Sequence, residues 1–353
     1  MQTLRLHANS DALSEASSQI ALDQAAAILR RGGTVAFPTE TVYGLGANAL
    51  NADAVAAIFT AKQRPTWDPL IVHICDQAML QALVTEIPGT ARRLMQAFWP
   101  GPLTLLLPRS SVIPDAITAG RPLVGVRIPR HPVALELIRC AGVPIAAPSA
   151  NRFGYTSPTT AQHVLDDLDG RIDAVLDAGP TAFGLESTVL DPTAAPMVVY
   201  RPGAITLDQI RKTAGPAELF SESPILPSEP PEALPSPGVG LRHYAPDARL
   251  ILLQPNEWTN TQLHSQAQAF PQDRIGLMLP TGVPGASAIS ENAFAAIFHW
   301  GNWHNPEELA HRLFAGLRYL DALGCTVILC PVPPAVGIGV AIRDRLRKAA
   351  MRS

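Results

Sequence analysis

Charged residues are scarce in this chain and nearly balanced in sign. Asp, Glu, Lys and Arg make up 16% of the 353 residues, and the formal net charge is −3. A protein that covers nucleic acid or an anionic membrane with its whole surface carries a large positive excess. The composition therefore excludes that class, and it leaves room only for a local basic pocket. Aromatic residues are also sparse, at 6%.

The printed sequence also shows no signal-peptide pattern and no unbroken long apolar run. The first residues, MQTLRLHANSDALSE, contain no apolar stretch of the signal-peptide type, and the run VILCPVPPAVGIGVAI is broken by proline and glycine. We therefore expect no signal peptide, no membrane span and a cytoplasmic location. The few cysteines lack zinc-ligand spacing and stand in apolar surroundings, which predicts buried thiols in a reducing compartment. They are Cys75, Cys140, Cys325 and Cys330.

Several familiar catalytic motifs are absent from the sequence. It contains no Walker A loop, no GxSxG and no HExxH, which excludes the usual kinase, serine hydrolase and zinc protease sites. A dinucleotide fingerprint is matched only superficially by Gly44-x-Gly46-x-x-Ala49, because TETVY separates it from the preceding strand. A Rossmann-type oxidoreductase is thus a weak interpretation. We expect the glycines to form a turn that lets the backbone approach a ligand.

The length of 353 residues and a hydrophobic content of 47% are sufficient for two domains with buried cores. Up to about Thr213, strand-like and helix-like segments alternate, which is typical of an α/β fold around a sheet. Few helical patterns separate the strand-like segments after Ile145, so this twisted sheet is predicted to be mixed. The first predicted domain is therefore α/β and spans residues 1–213.

A proline-rich segment and a second α/β unit follow. Residues 214–246 are predicted to be a semi-rigid linker, which ends in SPGVGLRHYAP from Ser236 to Pro246. This ending is too specific for a passive spacer. We hypothesise that it is an active-site lid and that cutting the chain after Arg211 abolishes activity. Residues 247–353 are predicted to be a small Rossmann-like domain, whose strongest helix has Asn305 as its N-cap.

Polar side chains stand where predicted strands begin or end. Because ligands of α/β sheets bind at strand ends, these side chains predict one crevice lined by hydrogen-bonding groups. Ser157 and Thr159 have an alternative role as caps of the helix AQHVLDDL, and this is the stronger interpretation for Thr159. The side chains at strand ends are Thr39, Glu40, Thr41, Ser149, Asn151, Ser187 and Arg201.

Lys62 and Arg64 end a helical pattern next to two prolines, which predicts an exposed, stiffened loop whose cations contact phosphate. A solvated helix end is the alternative. Arg127 lies in the apolar strand VGVR and requires an anion, carried either by a ligand or by an internal Asp or Glu. His73, in LIVHI, is by itself more typical of a core residue.

An ordered set of motifs carries a resemblance to a known family. The segments PTETVYGLG, KxRP with PLIVH, FWPGPLT, VGVRIPRHP, PIAAPSAN, SPT, GLESTV and RPGAI resemble the YrdC-type L-threonylcarbamoyladenylate synthases. The SPGxxxRHYxP linker and the terminal domain resemble the long, two-domain form of that family, which has a C-terminal Rossmann-like domain. The resemblance implies a nucleotidyltransferase that makes threonylcarbamoyl-AMP and pyrophosphate from L-threonine, bicarbonate and ATP. A downstream transferase complex would then modify tRNA.

The resemblance also implies roles for individual residues. Lys62 and Arg64 would be catalytic. L-Threonine would be bound by Thr41, His73, Arg127, the backbone near Ala147, and Ser187. ATP would be bound by Lys62, Arg64, Asp68, Ser149, Asn151, Ser157, Arg201, His243 and Tyr244.

One position departs from the family pattern, because Asp68 stands where an asparagine is usual before Pro69-Leu70. Asp68 would either help to hold Mg²⁺, which is expected with ATP, or weaken nucleotide binding. No organic cofactor is expected, and a dedicated metal site is unknown. The competing interpretation is an RNA-binding module with a basic crevice. The low positive charge argues against it, although a weak tRNA contact is compatible with the family.

Overall fold

A computed structural model of the chain describes residues 2–221, 234, 236, 243–254, 258–283 and 293–351. The chain divides into two compact units. Unit 1 contains Met1–Phe153, Pro158–Ala182 and Glu186–Gly240. Unit 2 contains Leu241–Ser353 together with two short segments from the first half of the sequence, Gly154–Ser157 and Phe183–Leu185.

Unit 1 is built on one mixed sheet, which confirms the predicted α/β fold. Its strands run in the order β1-β8-β2-β3-β7-β4-β6-β5-β9-β10-β11. The strands are β1 (Leu4–His7), β2 (Val35–Pro38), β3 (Tyr43–Asn48), β4 (Ile71–His73), β5 (Leu103–Pro108), β6 (Leu123–Arg127), β7 (Ile145–Ala146), β8 (Ala174–Asp177), β9 (Thr188–Asp191), β10 (Met197–Arg201) and β11 (Ala217–Leu219). The last strand lies within the range that the sequence assigned to the linker, and it pairs in parallel with β10.

Helices cover both faces of this sheet. Val35 and Phe37 belong to one apolar cluster and Ala36 to another, as the alternation of side chains along a strand requires. The helices of unit 1 are α1 (Ala16–Arg30), α2 (Ala52–Lys62), α3 (Gln77–Leu83), α4 (Gly89–Phe98), α5 (Asp115–Thr118), α6 (Pro132–Ala141), α7 (Ala161–Leu168) and α8 (Leu207–Ala214).

Helix α2 determines where Lys62 and Arg64 lie along the chain. Asn51 caps this helix by accepting hydrogen bonds from the backbone N–H groups of Asp53 and Ala54. The helix ends where Gln63 adopts a left-handed conformation with φ 54°. Lys62 is therefore the last helical residue, and Arg64 begins the following loop.

The predicted turn at Gly44 and Gly46 is wrong, because both glycines lie inside strand β3. A Cβ atom on Gly46 would lie 2.7 Å from Ile145 Cγ2 and 2.7 Å from Phe37 Cε1. The glycine thus allows close packing of side chains from neighbouring strands. Glycine can serve either a turn or close packing inside a strand, and the sequence pattern did not distinguish the two.

Two smaller expectations also need correction. The N-cap of α7 is Thr160, whose hydroxyl accepts the His163 N–H, whereas Thr159 contacts the ring of His163. Among the cysteines, Cys75 and Cys140 are only partly buried, while the other two are buried as expected.

Unit 2 contains a smaller, all-parallel sheet in the order β12-β15-β13-β14. Asn305 caps its longest helix by accepting the Glu308 N–H, which confirms the predicted start of that helix. The elements are β12 (Arg249–Leu253), α9 (Asn260–Gln268), β13 (Ile275–Thr281), β14 (Ala296–Asn302), α10 (Pro306–Ala322), β15 (Val327–Pro331) and α11 (Gly339–Ala350). No helix among the described residues is long and apolar enough to cross a membrane.

Candidate active site in unit 1

The sheet of unit 1 brings several predicted site residues together at strand ends. Strands β4 and β6 are parallel neighbours, and their register pairs His73 with Arg127. On the other side of β4, His73 pairs with Ile145 of β7, and the Ala147 N–H donates to the Ile71 carbonyl. The predicted threonine-binding residues His73, Arg127 and Ala147 are therefore adjacent.

Arg127 is 3% exposed and has a carboxylate partner from its own chain. Its Nη2 donates to Glu40 Oε1 at 2.6 Å, and its Nη1 donates to Thr41 Oγ1 at 3.2 Å. The sequence left open whether the anion beside Arg127 belongs to a ligand or to the protein, and the structure shows a protein carboxylate, that of Glu40. The Arg127 Nε–H is buried and has no partner among the described residues. Burial lowers the pKa of Arg127, and the Glu40 carboxylate opposes that effect.

Glu40 links two parts of the site, a role that the sequence did not indicate beyond its position at a strand end. One oxygen binds Arg127, and the other accepts the backbone N–H of Arg130 at 3.1 Å. Glu40 is only 4% exposed. A buried carboxylate is tolerated when it is paired and hydrogen-bonded in this way, so Glu40 fixes the guanidinium relative to the end of β2.

The threonines after β2 form a hydrogen-bonded turn. Thr39 Oγ1 lies 2.7 Å from Thr41 Oγ1 and also accepts the Thr41 N–H at 3.1 Å. Such turns are a common use of Ser and Thr beside a strand. As a result the Thr41 hydroxyl is held between Thr39 and Arg127.

Ser187, just before β9, is fixed by the end of β10. The guanidinium of Arg201 donates to the Ser187 carbonyl and to Ser187 Oγ, both at 3.0 Å. Thr104 Oγ1 lies 2.8 Å from the same hydroxyl. Thr104 had no predicted role, although the motif FWPGPLT that contains it was recognised, and it is a residue that sequence reasoning missed.

The sequence predicted Lys62 on an exposed loop, and this prediction is wrong, because Lys62 is only 1% exposed. Its ammonium donates to the carbonyl oxygens of Ser149 and Asn151 and to Asn151 Oδ1, with the Ser149 contact at 2.6 Å. Burial lowers its pKa well below the usual value, and Arg64 acts in the same direction. The three oxygen acceptors provide the hydrogen bonds that a buried ammonium needs. Lys62 thereby holds the segment Ser149–Asn151 in place.

Arg64 is likewise buried, at 8% exposure, and not a solvated loop cation. Its Nη2 forms an ion pair with Asp68 Oδ1 at 2.9 Å and donates to the Pro69 carbonyl at 2.8 Å. Asp68 is fully buried. The negative charge that departs from the family pattern is thus paired with Arg64 within the same loop.

His73 lies at the end of β4, with its ring edge-on to Phe37 at a centroid distance of 6.0 Å. Burial lowers the pKa of His73 well below 6.5, and the nearby Arg127 adds to this effect. The imidazole is therefore neutral at neutral pH. A neutral ring beside a cation avoids repulsion and retains one donor and one acceptor.

The remaining predicted nucleotide residues lie in unit 2. Ser157 is fully buried, and His243 and Tyr244 are 9% and 4% exposed. Tyr155 forms a parallel bridge with Ala245, and the Ala245 N–H donates to the Gly154 carbonyl at 2.9 Å. Of the predicted lid from 236 to 246, only Ser236 and residues 243–246 are described; the rest lies outside the described residues.

Comparisons with known proteins identify the relatives of this chain. The family model described as "Telomere recombination" (Sua5_yciO_yrdC) matches residues 27–203, and the model described as "Threonylcarbamoyl-AMP synthase, C-terminal domain" matches residues 205–351. The threonylcarbamoyl-AMP synthase of Pyrococcus abyssi is 42% identical over 92% of this chain and 93% of its own length. That of Bacillus subtilis is 43% identical over 96% of this chain and 95% of its own length.

A solved structure is similar over the whole length. The crystal structure of P. abyssi Sua5 complexed with L-threonine has a TM-score of 0.88 and 40% sequence identity, covering 99% of this chain and 98% of that one.

Proposed function

The chain belongs to the Sua5/YrdC family of threonylcarbamoyl-AMP synthases, and we propose that it joins L-threonine, bicarbonate and ATP into threonylcarbamoyl-AMP and pyrophosphate. The observation that carries this proposal is the buried Arg127, whose Nε–H has no partner among the described residues. A buried, unpaired donor on a cation is costly unless a ligand completes it. The carboxylate of an amino acid is a ligand of matching charge.

We propose that the L-threonine site consists of Thr41, His73, Arg127, the backbone near Ala147, and Ser187. Arg127 would bind the substrate carboxylate through the N–H groups that Glu40 and Thr41 do not take. Thr41 and Ser187 would offer hydroxyls to the substrate side chain and amine. The supporting feature is that each of these hydroxyls is held by a second residue of the chain, Thr39 for Thr41 and Arg201 for Ser187.

For ATP we propose the set Lys62, Arg64, Asp68, Ser149, Asn151, Ser157, Arg201, His243 and Tyr244. Lys62 acts by holding Ser149 and Asn151 and by its positive charge, because its hydrogen bonds run to that segment. Asp68 would act by orienting Arg64 through their ion pair.

The reaction needs no protein nucleophile. The threonine amine and bicarbonate form a carbamate with loss of water, and a carbamate oxygen attacks the α-phosphorus of ATP as pyrophosphate leaves. Negative charge grows on the phosphate oxygens and the leaving group, so fixed cations that are already in place lower the barrier. This makes the enzyme a nucleotidyltransferase, since the adenylyl group is what moves.

ATP is expected to enter as its Mg²⁺ complex, as a substrate. The described residues contain no group of three or more His, Cys, Asp or Glu that could hold a metal ion.

The alternative RNA-binding module is less well supported by the geometry. Lys62, Arg64 and Arg127 are all buried and bound to carbonyl or carboxylate oxygens of the chain. Backbone-tracking RNA contacts need cations that stand exposed along a groove. We propose that any tRNA contact is weak. We also propose that a separate transferase takes the product, because the reaction leaves the threonylcarbamoyl group on AMP and modification of tRNA requires its transfer.

The test is pyrophosphate release by the purified full-length chain with ATP, L-threonine and bicarbonate. We expect release that requires all three, and a product with the mass of threonylcarbamoyl-AMP. Release from ATP alone would contradict the proposed reaction. Tight tRNA binding without any synthesis would favour the RNA-binding module instead.

A further inference from the structure

Helix α10 of unit 2 presents one face to three separate chain segments of the same unit. This face consists of His311, Phe314, Arg318 and Asp321, here called the α10 stripe. The spacing of three, four and three residues places these positions on one side of a helix. The segments it meets are Phe183–Leu185, residues 243–248 and Gly154–Ser157, all of which belong to unit 2.

The first segment approaches the helix backbone closely. A Cβ on Gly184 would lie 2.4 Å from the His311 carbonyl oxygen, and Gly184 has φ +69°. Both the left-handed backbone and the lack of space require glycine here. Gly184, which precedes Glu186 by two residues and Ser187 by three, therefore packs directly against the backbone of α10.

The second segment carries His243 and Tyr244. The Tyr244 ring stacks on the Phe314 ring at a centroid distance of 5.7 Å, and the guanidinium carbon of Arg345 lies 5.0 Å from the centroid of the Tyr244 ring. Tyr244 has φ 65°, an uncommon conformation for a residue with a side chain. Asp321 accepts the backbone N–H groups of Asp247 and Ala248, both at 3.0 Å. The stripe thus holds this segment at two points.

The third segment carries Ser157, and Arg318 reaches it. The Arg318 Nη2 donates to the carbonyl oxygen of Thr156. Thr156 and Ser157 are 3% and 0% exposed. The Thr156 carbonyl and the Ser157 N–H belong to one planar trans peptide unit, so they point in opposite directions. A cation bound to the carbonyl therefore fixes the direction of the Ser157 N–H.

We propose that Arg318 is a positioning residue for nucleotide binding: it holds the Thr156 carbonyl and thereby orients Ser157 towards ATP. The inference rests on the proposed function, because Ser157 is one of the proposed ATP residues. It gives unit 2 a defined part in synthesis. A hydrogen bond from a charged donor is strong enough to select one orientation of a short loop.

The test compares three variants of the full-length chain. Arg318→Ala removes the contact, and Arg318→Lys keeps one charged donor. Arg312→Ala is the matched control, because Arg312 lies on the same helix, donates to the His299 carbonyl at 2.7 Å and packs over Phe298. A purely structural role would affect Arg318→Ala and Arg312→Ala alike.

We expect Arg318→Ala to raise the KM for ATP about tenfold, as the loss of a charged hydrogen bond predicts. L-Threonine affinity should stay within about twofold of wild type, and Arg318→Lys should recover most of the ATP affinity. Arg312→Ala should leave both KM values unchanged. Equal effects of Arg318→Ala and Arg312→Ala, or equal losses for both substrates, would overturn the proposal.

Direct ATP binding by calorimetry separates this inference from the proposed reaction. If wild type binds ATP but releases no pyrophosphate, the proposed reaction fails, and the Arg318 variants still decide the inference through their ATP affinity. If wild type does not bind ATP, both are overturned.

Discussion

At the scale of single residues, the site depends on cations that are already paired inside the protein. Arg127 with Glu40, Lys62 with backbone carbonyls and Arg64 with Asp68 are each buried together with their acceptors. Burying an unpaired charge costs far more than burying a paired one. The internal partners therefore keep these cations in place.

Arg127→Lys should weaken L-threonine binding at least tenfold. An ammonium cannot serve Glu40, Thr41 and a substrate carboxylate in the fixed planar geometry of a guanidinium, and a charged hydrogen bond contributes about 1.5–3 kcal/mol. Calorimetry with L-threonine measures the effect. Arg139→Lys is the control, because Arg139 forms a surface pair with Glu136. A dissociation constant for Arg127→Lys within about threefold of wild type would rule out the assignment.

His73 predicts a dependence of stability on acid pH. Its pKa is lowered by burial and by Arg127, so below its usual value of 6.5 the unfolded chain binds a proton that the folded chain does not. Stability is therefore full above pH 6.5 and falls below it, until the folded-state pKa is reached. The free energy of unfolding should decrease by up to about 1.4 kcal/mol per pH unit in that window.

Urea unfolding of wild type and His73→Gln between pH 7.5 and 5 isolates this contribution. The difference between the two proteins should shrink as the pH falls. His299→Gln, at an exposed position, should follow the wild-type profile. Parallel profiles for wild type and His73→Gln would show that His73 is protonated equally in both states.

At the scale of elements, the end of β10 packs directly against the chain that enters β9. A Cβ on Gly203 would lie 2.4 Å from the Thr188 nitrogen and 2.7 Å from the Glu186 oxygen. Both are backbone atoms, so no side chain can move aside to make room. Ser187 is thus located by the close approach of two strand ends as well as by Arg201.

Gly203→Ala should therefore destabilise the protein by about 1–3 kcal/mol, the usual cost of overpacking. It should also raise the KM for L-threonine, because Ser187 must shift. Gly89→Ala is the matched control: its Cβ would meet nothing closer than Arg93 Nη1 at 3.9 Å, at the first residue of α4. A Gly203→Ala variant as stable as Gly89→Ala would contradict this description of the packing.

At the scale of the whole molecule, the units do not follow the order of the sequence. Gly154–Ser157 and Phe183–Leu185 come from the first half of the chain but belong to unit 2. Removing residues 241–353 consequently takes away the neighbours of these two segments, which lie on either side of α7 in the sequence. A cut after Arg211 would also remove β11, which pairs with β10, so a cut after Ser221 is the better test.

Residues 1–221 should fold cooperatively and bind L-threonine within about threefold of full length, because the proposed threonine residues all lie in unit 1. The KM of this fragment for ATP should rise at least tenfold, because the Thr156 carbonyl loses its hydrogen bond from Arg318 and Ser157 is no longer oriented. Tenfold is the magnitude expected for one charged hydrogen bond. Pyrophosphate release and threonine calorimetry measure both. Normal ATP use by the fragment would show that the linker and unit 2 are not needed, which is the competing possibility for a domain that works alone.

The linear sequence determined the features that depend on local pattern. The alternation of apolar segments predicted the mixed α/β sheet. The helical pattern before Lys62 and the cap at Asn305 correspond to helices α2 and α10. The ordered motifs identified the family. Short elements with weak patterns, such as β1 and α3, were not recognised, because a few residues carry little periodicity.

Only the tertiary structure decided what each charge meets. Arg127 had to find an anion, but whether that anion was internal depended on Glu40 lying 87 positions away in sequence and 2.6 Å away in space. The exposure of Lys62, the Thr104 contact with Ser187 and the contact of Arg318 with Thr156 are likewise long-range. Periodicity and propensity describe neighbours along the chain, whereas burial and pairing are set by the segments that the fold brings together.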